Sequence, residues 1–439
     1  MPRIYIETYG CQMNVADSEL VLGVLEREGY VAVDDPAAAD VVLVNTCAVR
    51  DHAEQKVLSR VGELKRCKRP GGVLGVVGCM AQRLGPKLLE RIPQVDLVVG
   101  PDGYRGLPEL IARVRAGGGE RAADVEFRGW EHYEDVPPAR EAGASAFVTV
   151  QRGCDYRCTF CIVPMTRGPE RSRKLADVVR EVERLAGAGT TEVTLLGQTV
   201  NSYDDGTHDF ADLLRAVGAV PGIRRMRFTS PYPTDFGERV VAAMAETPAV
   251  CEHVHMPVQS GSSRVLRRML RRYDRDRYLA VVAALRDAMP GIALTTDIIV
   301  GFPGESEEDF RETLSLVEAV AFDDAFTFRY SPRDGTPATR LKDVVPDHVA
   351  GERLERLVAT VRGIARRKNV GLVGSRHEVL VEGRAKRGDL LQARTRGNKV
   401  ALFPGSDAWI GSYRMVRFTG TTGSTFAARP VGQELAVVG

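Results

Sequence analysis

The sequence predicts an α/β protein in three parts: an open parallel α/β domain, a central (β/α)6 partial barrel of the TIM type, and a small C-terminal β-barrel of the OB kind. Short β-branched runs alternate with helical periodicity over residues 1–116, and the alternation resumes from Phe147 to about Tyr330. After Gly371 it changes to short alternating strands with Gly-rich turns. A chain of 439 residues also exceeds one ordinary core, so two or three domains are expected.

Composition narrows the class. A hydrophobic fraction of 44% beside 27% charge is that of a globular protein, and no run of 18 apolar residues offers a membrane span. The first residues run into a strand without a signal-peptide pattern, so the expected compartment is the cytoplasm, with no membrane association. Eight cysteines are too few for a disulfide scaffold in a chain this long; in a reducing compartment clustered cysteines are expected to bind metal or act chemically.

In the N-terminal domain, residues 1–117, strands are expected at Ile4–Thr8, Val41–Asn45, Val73–Val77 and Asp96–Val99. Helical periodicity covers Ser18–Glu28 and Asp51–Lys65, with Asp17 or Asp51 available as N-caps. Cys11, Cys47 and Cys79 each fall just past a strand, about one βα repeat apart. Parallel strands deliver their following loops to one edge, where ligands bind, so these thiols are expected to converge on a three-thiolate site. Cys67, in a basic segment before Pro70, reads as a non-ligand. Residues 118–139 read as a polar linker in which Phe127, Trp130 and Tyr133 are able to pack on a neighbour.

The central domain, residues 140–370, has strand signals at 147–151, 192–196, 225–229, 252–256, 294–299 and 325–330. Six strands suit a partial barrel better than a closed eight-stranded one. Directly after the first comes Cys154-Asp155-Tyr156-Arg157-Cys158-Thr159-Phe160-Cys161, a CxxxCxxC loop. Three close thiolates suit a soft metal centre and are one ligand short of a closed tetrahedral site, which suggests catalysis at an open position. The alternative is a zinc staple completed by a distant residue. Arg264, Arg267, Arg268, Arg271, Arg272, Arg275 and Arg277 are spaced to lie mostly on adjoining faces of one helix.

Residues 351–439 hold 16 Lys and Arg against seven Asp and Glu, which points to a polyanionic partner. A basic helix is expected over Arg353–Lys368, followed by a barrel domain at 371–435 with strands His377–Val381, Leu391–Thr395, Val400–Phe403 and Tyr413–Thr419. Arg384, Lys386, Arg387, Arg394, Arg396 and Lys399 make this barrel basic, as suits single-stranded or looped nucleic acid. Phe403, Trp409, Tyr413 and Phe418 are the stacking candidates, most of them expected in the core.

The CxxxCxxC loop at the head of a partial barrel resembles the radical S-adenosylmethionine superfamily. With the dispersed N-terminal cysteines and a TRAM-type barrel, essentially the whole chain resembles its methylthiotransferase family. The carrying segments are Thr8-Tyr9-Gly10-Cys11-Gln12-Met13-Asn14, Asn45-Thr46-Cys47, Gly78-Cys79-Met80, Thr166-Arg167-Gly168, Leu195-Leu196-Gly197-Gln198-Thr199-Val200-Asn201, His255-Met256-Pro257-Val258-Gln259 and Gly301-Phe302-Pro303-Gly304-Glu305. Met165 stands where the family leads one to expect an aromatic residue.

The resemblance implies two 4Fe-4S clusters, one on Cys154, Cys158 and Cys161 and one on Cys11, Cys47 and Cys79. The first also chelates S-adenosylmethionine and cleaves it to a 5'-deoxyadenosyl radical; a methyl group from a second S-adenosylmethionine goes to a sulfur at the N-terminal cluster. Gln198, Asn201, Gly301 and Gly304 are implied as the shell around S-adenosylmethionine, the glycines by close backbone approach, with His255 and Gln259 over the site's mouth. The implied partner is the tRNA anticodon stem-loop, gripped by the barrel and the arginine helix. Its N6-dimethylallyladenosine at position 37 would receive a methylthio group at C2. A reductant such as flavodoxin or ferredoxin, a sulfur donor and a monomeric state come with it. Relatives of the same architecture act on N6-threonylcarbamoyladenosine or a ribosomal-protein aspartate; Gln12-Met13-Asn14 favours the dimethylallyl substrate. A non-catalytic iron–sulfur RNA-binding sensor fits two open sites poorly.

Overall fold

A computed structural model describes residues 1–431 apart from 49–50, 118–119, 141 and 387, with the backbone alone for 51–56. The N-terminal sheet contains β1 (Arg3–Tyr9), β2 (Val31–Ala32), β3 (Val41–Thr46), β4 (Val73–Gly78), β5 (Leu97–Val99) and β6 (Ala122–Asp124), all parallel, in the order β2-β1-β3-β4-β5-β6. β3 and β4 are buried throughout because helices cover both faces, which explains their unbroken apolar runs. The helices are α1 (Gln12–Arg27), α2 (Asp51–Leu64), α3 (Cys79–Leu84), α4 (Lys87–Arg91) and α5 (Leu107–Ala116).

Two expectations are corrected here. The stretch read as a linker supplies β6; its Tyr133 packs into the N-terminal core as expected, together with Val136, whereas Phe127 and Trp130 stay exposed. Asp17 does not cap a helix: α1 begins five residues earlier, and Asp17 is fully buried within it. The cap is Cys11, whose backbone N–H donates to Asn14 Oδ1 at 3.3 Å. Asp51 opens α2, but its side chain lies outside the described residues.

In the centre, β7 (Ser145–Thr149), β10 (Glu192–Leu196) and β11 (Arg225–Phe228) form one parallel sheet, and β12 (His253–His255), β13 (Ala293–Val300) and β14 (Asp324–Arg329) form another. A parallel bridge between Met226 and Val250 joins them into six consecutive strands, a partial barrel. Between β7 and β10, the short antiparallel pair β8 (Gln151–Arg152) and β9 (Arg171–Ser172) pins the two ends of the cysteine loop. Inside that loop runs α6 (Val163–Arg167).

The arginine-rich stretch is not one helix. The helix Ser263–Arg268 is capped at Met269 and followed by Leu270 at φ +55°, and a second helix, Arg275–Ala288, starts behind an Asp274 side chain that accepts from the Arg277 N–H. Arg264 pairs with Asp309, Arg268 donates to the Pro303 carbonyl and Arg275 to that of Glu312, so these side chains fasten the barrel.

The C-terminal module is a closed barrel of β15 (Arg376–Arg384), β16 (Leu390–Thr395), β17 (Val400–Pro404), β18 (Tyr413–Thr421) and β19 (Thr425–Pro430), ordered β15-β16-β17-β19-β18. The sequence reading missed β19. The barrel docks where the strands of the central barrel begin: Arg225 and Arg227 of β11 donate to the carbonyls of Arg394, Glu378, Arg396 and Thr395. Helix Asp347–Gly371 leads into it. No helix among the described residues is long and apolar enough to cross a membrane.

Candidate metal centres and their shared interface

Cys154, Cys158 and Cys161 lie in the loop beyond the carboxyl end of β7. Gly153 turns the chain into it at φ +77°, where a Cβ would strike the Pro169 carbonyl. The loop is tied down by Cys154 N–H to Gly168 O at 3.2 Å, Cys161 N–H to Cys158 O at 3.0 Å, and Thr159 N–H to Met269 O at 3.0 Å. Tyr156 stacks on Tyr232 at 3.7 Å and its hydroxyl donates to Asp235 at 2.7 Å. Arg271 lies over Tyr232 and Tyr273 and donates from Nη1 to Cys158 Sγ at 3.3 Å. Burial pushes the Cys154 thiol up to about 11 and that of Cys161 up to about 12.

The second group lies at the carboxyl edge of the N-terminal sheet. Cys11 follows β1, Cys47 follows β3, and Cys79 is the first residue of α3 after β4. Gly78, at φ +93°, makes the turn before Cys79 where a Cβ would meet the Asn45 side chain. Asn14 and Asn45 are fully buried and bind each other, Asn14 Nδ2 donating to Asn45 Oδ1 at 3.1 Å. Asn14 Oδ1 also accepts from Cys11 Sγ at 3.4 Å. The Cys11 thiol is brought down, first by its hydrogen bond to Cys47, then by the Arg167 charge, while burial raises that of Cys79.

The two groups face each other. Ile162, next to Cys161, packs with Ala48 and Cys79 in one buried cluster. Below it, Asp17 of α1 binds Arg152 at 3.0 Å and Arg167 at 2.6 Å, and accepts from the Tyr104 hydroxyl at 3.3 Å. Arg167 also donates from Nε to Cys79 Sγ at 3.1 Å. Nearby, Arg171 pairs with buried Asp102. From the sequence Asp17 reads only as a cap, Arg152 has no role, Arg167 belongs only to the Thr166-Arg167-Gly168 segment, and Arg271 falls in the arginine helix expected to grip RNA; the structure instead sets Arg167 and Arg271 beside cysteine sulfurs. The available signal was Asn14, Asp17 and Ser18 at helical spacing on the face that buries Met13, Ala16 and Leu20.

The donor chemistry fits iron–sulfur clusters. A zinc staple would need a fourth ligand from elsewhere in the chain to close its tetrahedron. An iron–sulfur cluster instead takes each thiolate on its own iron, and such thiolates are matched here by two cations, Arg271 and Arg167.

Other expected site residues are distributed differently. Gln198 is half-buried, and its Oε1 has no partner among the described residues. Asn201 is occupied structurally: it donates to Tyr232 O at 2.9 Å and accepts from Tyr232 N–H at 2.6 Å. Gly301 and Gly304 have φ +71° and +82°, but protein crowds them: a Cβ on Gly301 would lie 2.6 Å from Ala350 Cβ, and one on Gly304 would lie 2.7 Å from the Arg268 guanidinium. His255 bonds Thr295 at 3.0 Å and lies 3.4 Å from Asp297, and Gln259 is buried at φ +70°.

The basic barrel is less free than its composition suggests, because acidic groups compensate it. Arg396 pairs with Glu252 at 2.8 Å and Lys399 with Asp323 at 2.9 Å, both across to the central barrel. Arg394 pairs with Glu382, and Arg384 with Asp407 at 2.7 Å. Lys386 is exposed without an ion-pair partner among the described residues; Arg387 lies outside them. Phe403 and Phe418 are core, while Trp409 and Tyr413 are half-buried, under Arg414 and Arg224 respectively.

A six-stranded partial barrel with a cysteine loop at its carboxyl face, joined to a parallel α/β module and a small barrel, defines a radical S-adenosylmethionine protein with two accessory modules. Family models agree: "Uncharacterized protein family UPF0004" matches residues 3–100, the radical SAM superfamily 148–317, and the TRAM domain 371–423. The chain belongs to the family of the tRNA-2-methylthio-N(6)-dimethylallyladenosine synthases. It is 46% identical to the proteins of that name from Geobacter sulfurreducens (95% of this chain, 94% of the relative) and Alkalilimnicola ehrlichii (95% of each). The Bacteroides fragilis protein is also 46% identical, over 98% of this chain and 96% of the relative. In fold the chain resembles the radical S-adenosylmethionine methyltransferase TsrM from Kitasatospora setae, with a TM-score of 0.57 over 77% of each chain at 17% identity.

Proposed function

We propose that this protein transfers a methylthio group to C2 of N6-(dimethylallyl)adenosine at position 37 of tRNA, giving 2-methylthio-N6-(dimethylallyl)adenosine. The observation that carries the reading is the facing pair of cysteine groups, linked through Ile162 and Arg167, in a chain related over nearly its full length to enzymes of that name. Cys154, Cys158 and Cys161 would hold one 4Fe-4S cluster, and Cys11, Cys47 and Cys79 a second. With S-adenosylmethionine bound, such a cluster supplies the one-electron chemistry that an unactivated C2–H position requires.

The chain's own residues do the rest. Arg271 and Arg167 offset thiolate charge, and Tyr156, Tyr232 and Tyr273 wall the first site. The unpartnered Gln198 Oε1 is available to a donor on S-adenosylmethionine or the base. Support for an apolar N6 substituent comes from the inner face of the partial barrel. Phe326 and Phe328 alternate along β14 on the face opposite its helices and are 56% and 39% exposed, with His255 edge-on to Phe326. An unstacked base with a hydrocarbon tail suits such a face better than one carrying a carboxylate. Lys386 and its neighbours on the small barrel would meet the stem-loop phosphates. A tRNA substrate places the protein in the cytoplasm; its other partners would be an electron donor of the flavodoxin or ferredoxin kind and a sulfur source, with the chain acting as a monomer.

The test is nucleoside mass spectrometry of tRNA carrying N6-dimethylallyladenosine after anaerobic reaction with reconstituted protein, S-adenosylmethionine, sulfide and reductant. A gain of the methylthio group at that nucleoside is expected. Reaction only on threonylcarbamoyl-modified tRNA would overturn the assignment.

A further inference from the structure

Helix α6 starts two residues beyond Cys161 and ends at Arg167, whose side chain crosses to the N-terminal module. Its Nε donates to Cys79 Sγ at 3.1 Å, and its Nη1 lies 2.6 Å from Asp17 Oδ2. Arg152 meets the other Asp17 oxygen at 3.0 Å. Asp17, Arg152 and Arg167 are respectively 0%, 5% and 3% exposed, so two buried guanidinium groups share one buried carboxylate. The interface therefore carries an excess positive charge, which is costly away from water unless an anion stands beside it. The Cys79 sulfur, 3.1 Å from Arg167 Nε, is the group at hand to balance that charge once it is a cluster-bound thiolate. Arg167 Nη2 is buried and has no hydrogen-bond acceptor among the described residues.

We infer that Arg167, held by Asp17, is a positioning residue for the Cys11–Cys47–Cys79 site: it hydrogen-bonds the Cys79 sulfur, offsets the negative charge of the loaded site and raises its reduction potential. Positive charge and hydrogen bonds at cluster sulfurs stabilise the more negative, reduced state, which fixes the direction of the effect. Because α6 also follows directly on Cys161, the same short helix sets the spacing between the two cysteine groups. The inference rests on the reading that the N-terminal thiolates hold a 4Fe-4S cluster.

The experiment uses the full chain with Cys154, Cys158 and Cys161 replaced by Ala, so that any bound iron belongs to the N-terminal site. After anaerobic reconstitution, iron is counted and a redox titration is followed by electron paramagnetic resonance. This parent is expected to hold about four irons. Adding Arg167→Gln should keep the irons and shift the potential downward; Arg167→Lys, which keeps the charge but not the planar fork, should shift it less. A merely structural arginine would change stability and leave the potential of the folded, loaded protein in place, and that result overturns the inference. Should the Gln variant fail to fold, the Lys variant carries the test, and a potential equal to the parent's overturns it. A parent without iron overturns the two-cluster reading, and this inference with it.

Discussion

Arg271 donates from Nη1 to the Sγ of Cys158 across 3.3 Å, while its Nη2 donates to the Pro257 carbonyl at 3.1 Å. A cation is thus pinned beside one of three clustered thiols by two aromatic rings and the backbone. A hydrogen bond to a charged partner contributes about 1.5–3 kcal/mol. Arg271→Ala should therefore lower iron retention at this loop and cut S-adenosylmethionine cleavage by about 10- to 100-fold, read as 5'-deoxyadenosine formed per iron. Full iron with unchanged cleavage would remove Arg271 from the site.

Iron stoichiometry tests the two cysteine groups separately. Intact protein reconstituted without oxygen should carry about eight irons, and replacing Cys11, Cys47 and Cys79 with Ala should leave about four. Cys67→Ala should change nothing, because Cys67 closes a short 3-10 turn after α2, away from the sheet's carboxyl edge.

Removing Asp17 strands two buried cations. Breaking one partner out of a buried ion pair costs about 3–5 kcal/mol, so Asp17→Ala should lower the denaturation midpoint substantially, measured by circular dichroism in urea. Glu63→Ala, at a mostly exposed pair with Arg60, should shift it by no more than about 1 kcal/mol.

Basic residues of the C-terminal barrel should divide by partner. Lys386→Glu is expected to weaken tRNA-fragment binding and to reduce the slope of log affinity against log salt by about one. Arg396→Glu should act chiefly on stability, since Arg396 joins the barrel to Glu252 and to the Val250 carbonyl. Equal salt slopes for Lys386→Glu and the parent would move the RNA contact elsewhere.

Phe326 and Phe328 should select the tail of the base. Paired Ala substitutions are expected to lower kcat/KM on dimethylallyl-modified tRNA about tenfold or more, with iron content and substrate-free S-adenosylmethionine cleavage preserved. An undiminished rate would show that the tail binds off this face.

Local rules worked where a residue's role depended on its neighbours in sequence. The cysteines past β3 and β4 were legible because unbroken apolar runs mark buried parallel strands, and the one past β1 because Ile4, Ile6 and Thr8 alternate in a half-buried strand; a parallel strand brings its following residue to a common edge. β6 and β19 escaped because Ala-Ala-Asp and Thr-Phe-Ala-Ala-Arg-Pro have weak strand propensity; they are strands because an existing sheet edge offers them hydrogen bonds. An Asp ahead of an apolar run is a good cap by local rules, but the partners of Asp17, Tyr104, Arg152 and Arg167, lie 87 or more residues away in sequence.

By itself the sequence determined the three-part α/β architecture, the two cysteine groups and their placement at strand ends, because periodicity and spacing are properties of nearest neighbours along the chain. Tertiary structure alone decided that the groups face each other, that Arg167 and Arg271 reach Cys79 and Cys158, and that Arg396 and Lys399 bind protein carboxylates. Charge compensation is a matter of a few ångströms in space, and residues distant in sequence supply it once packing has excluded water between them.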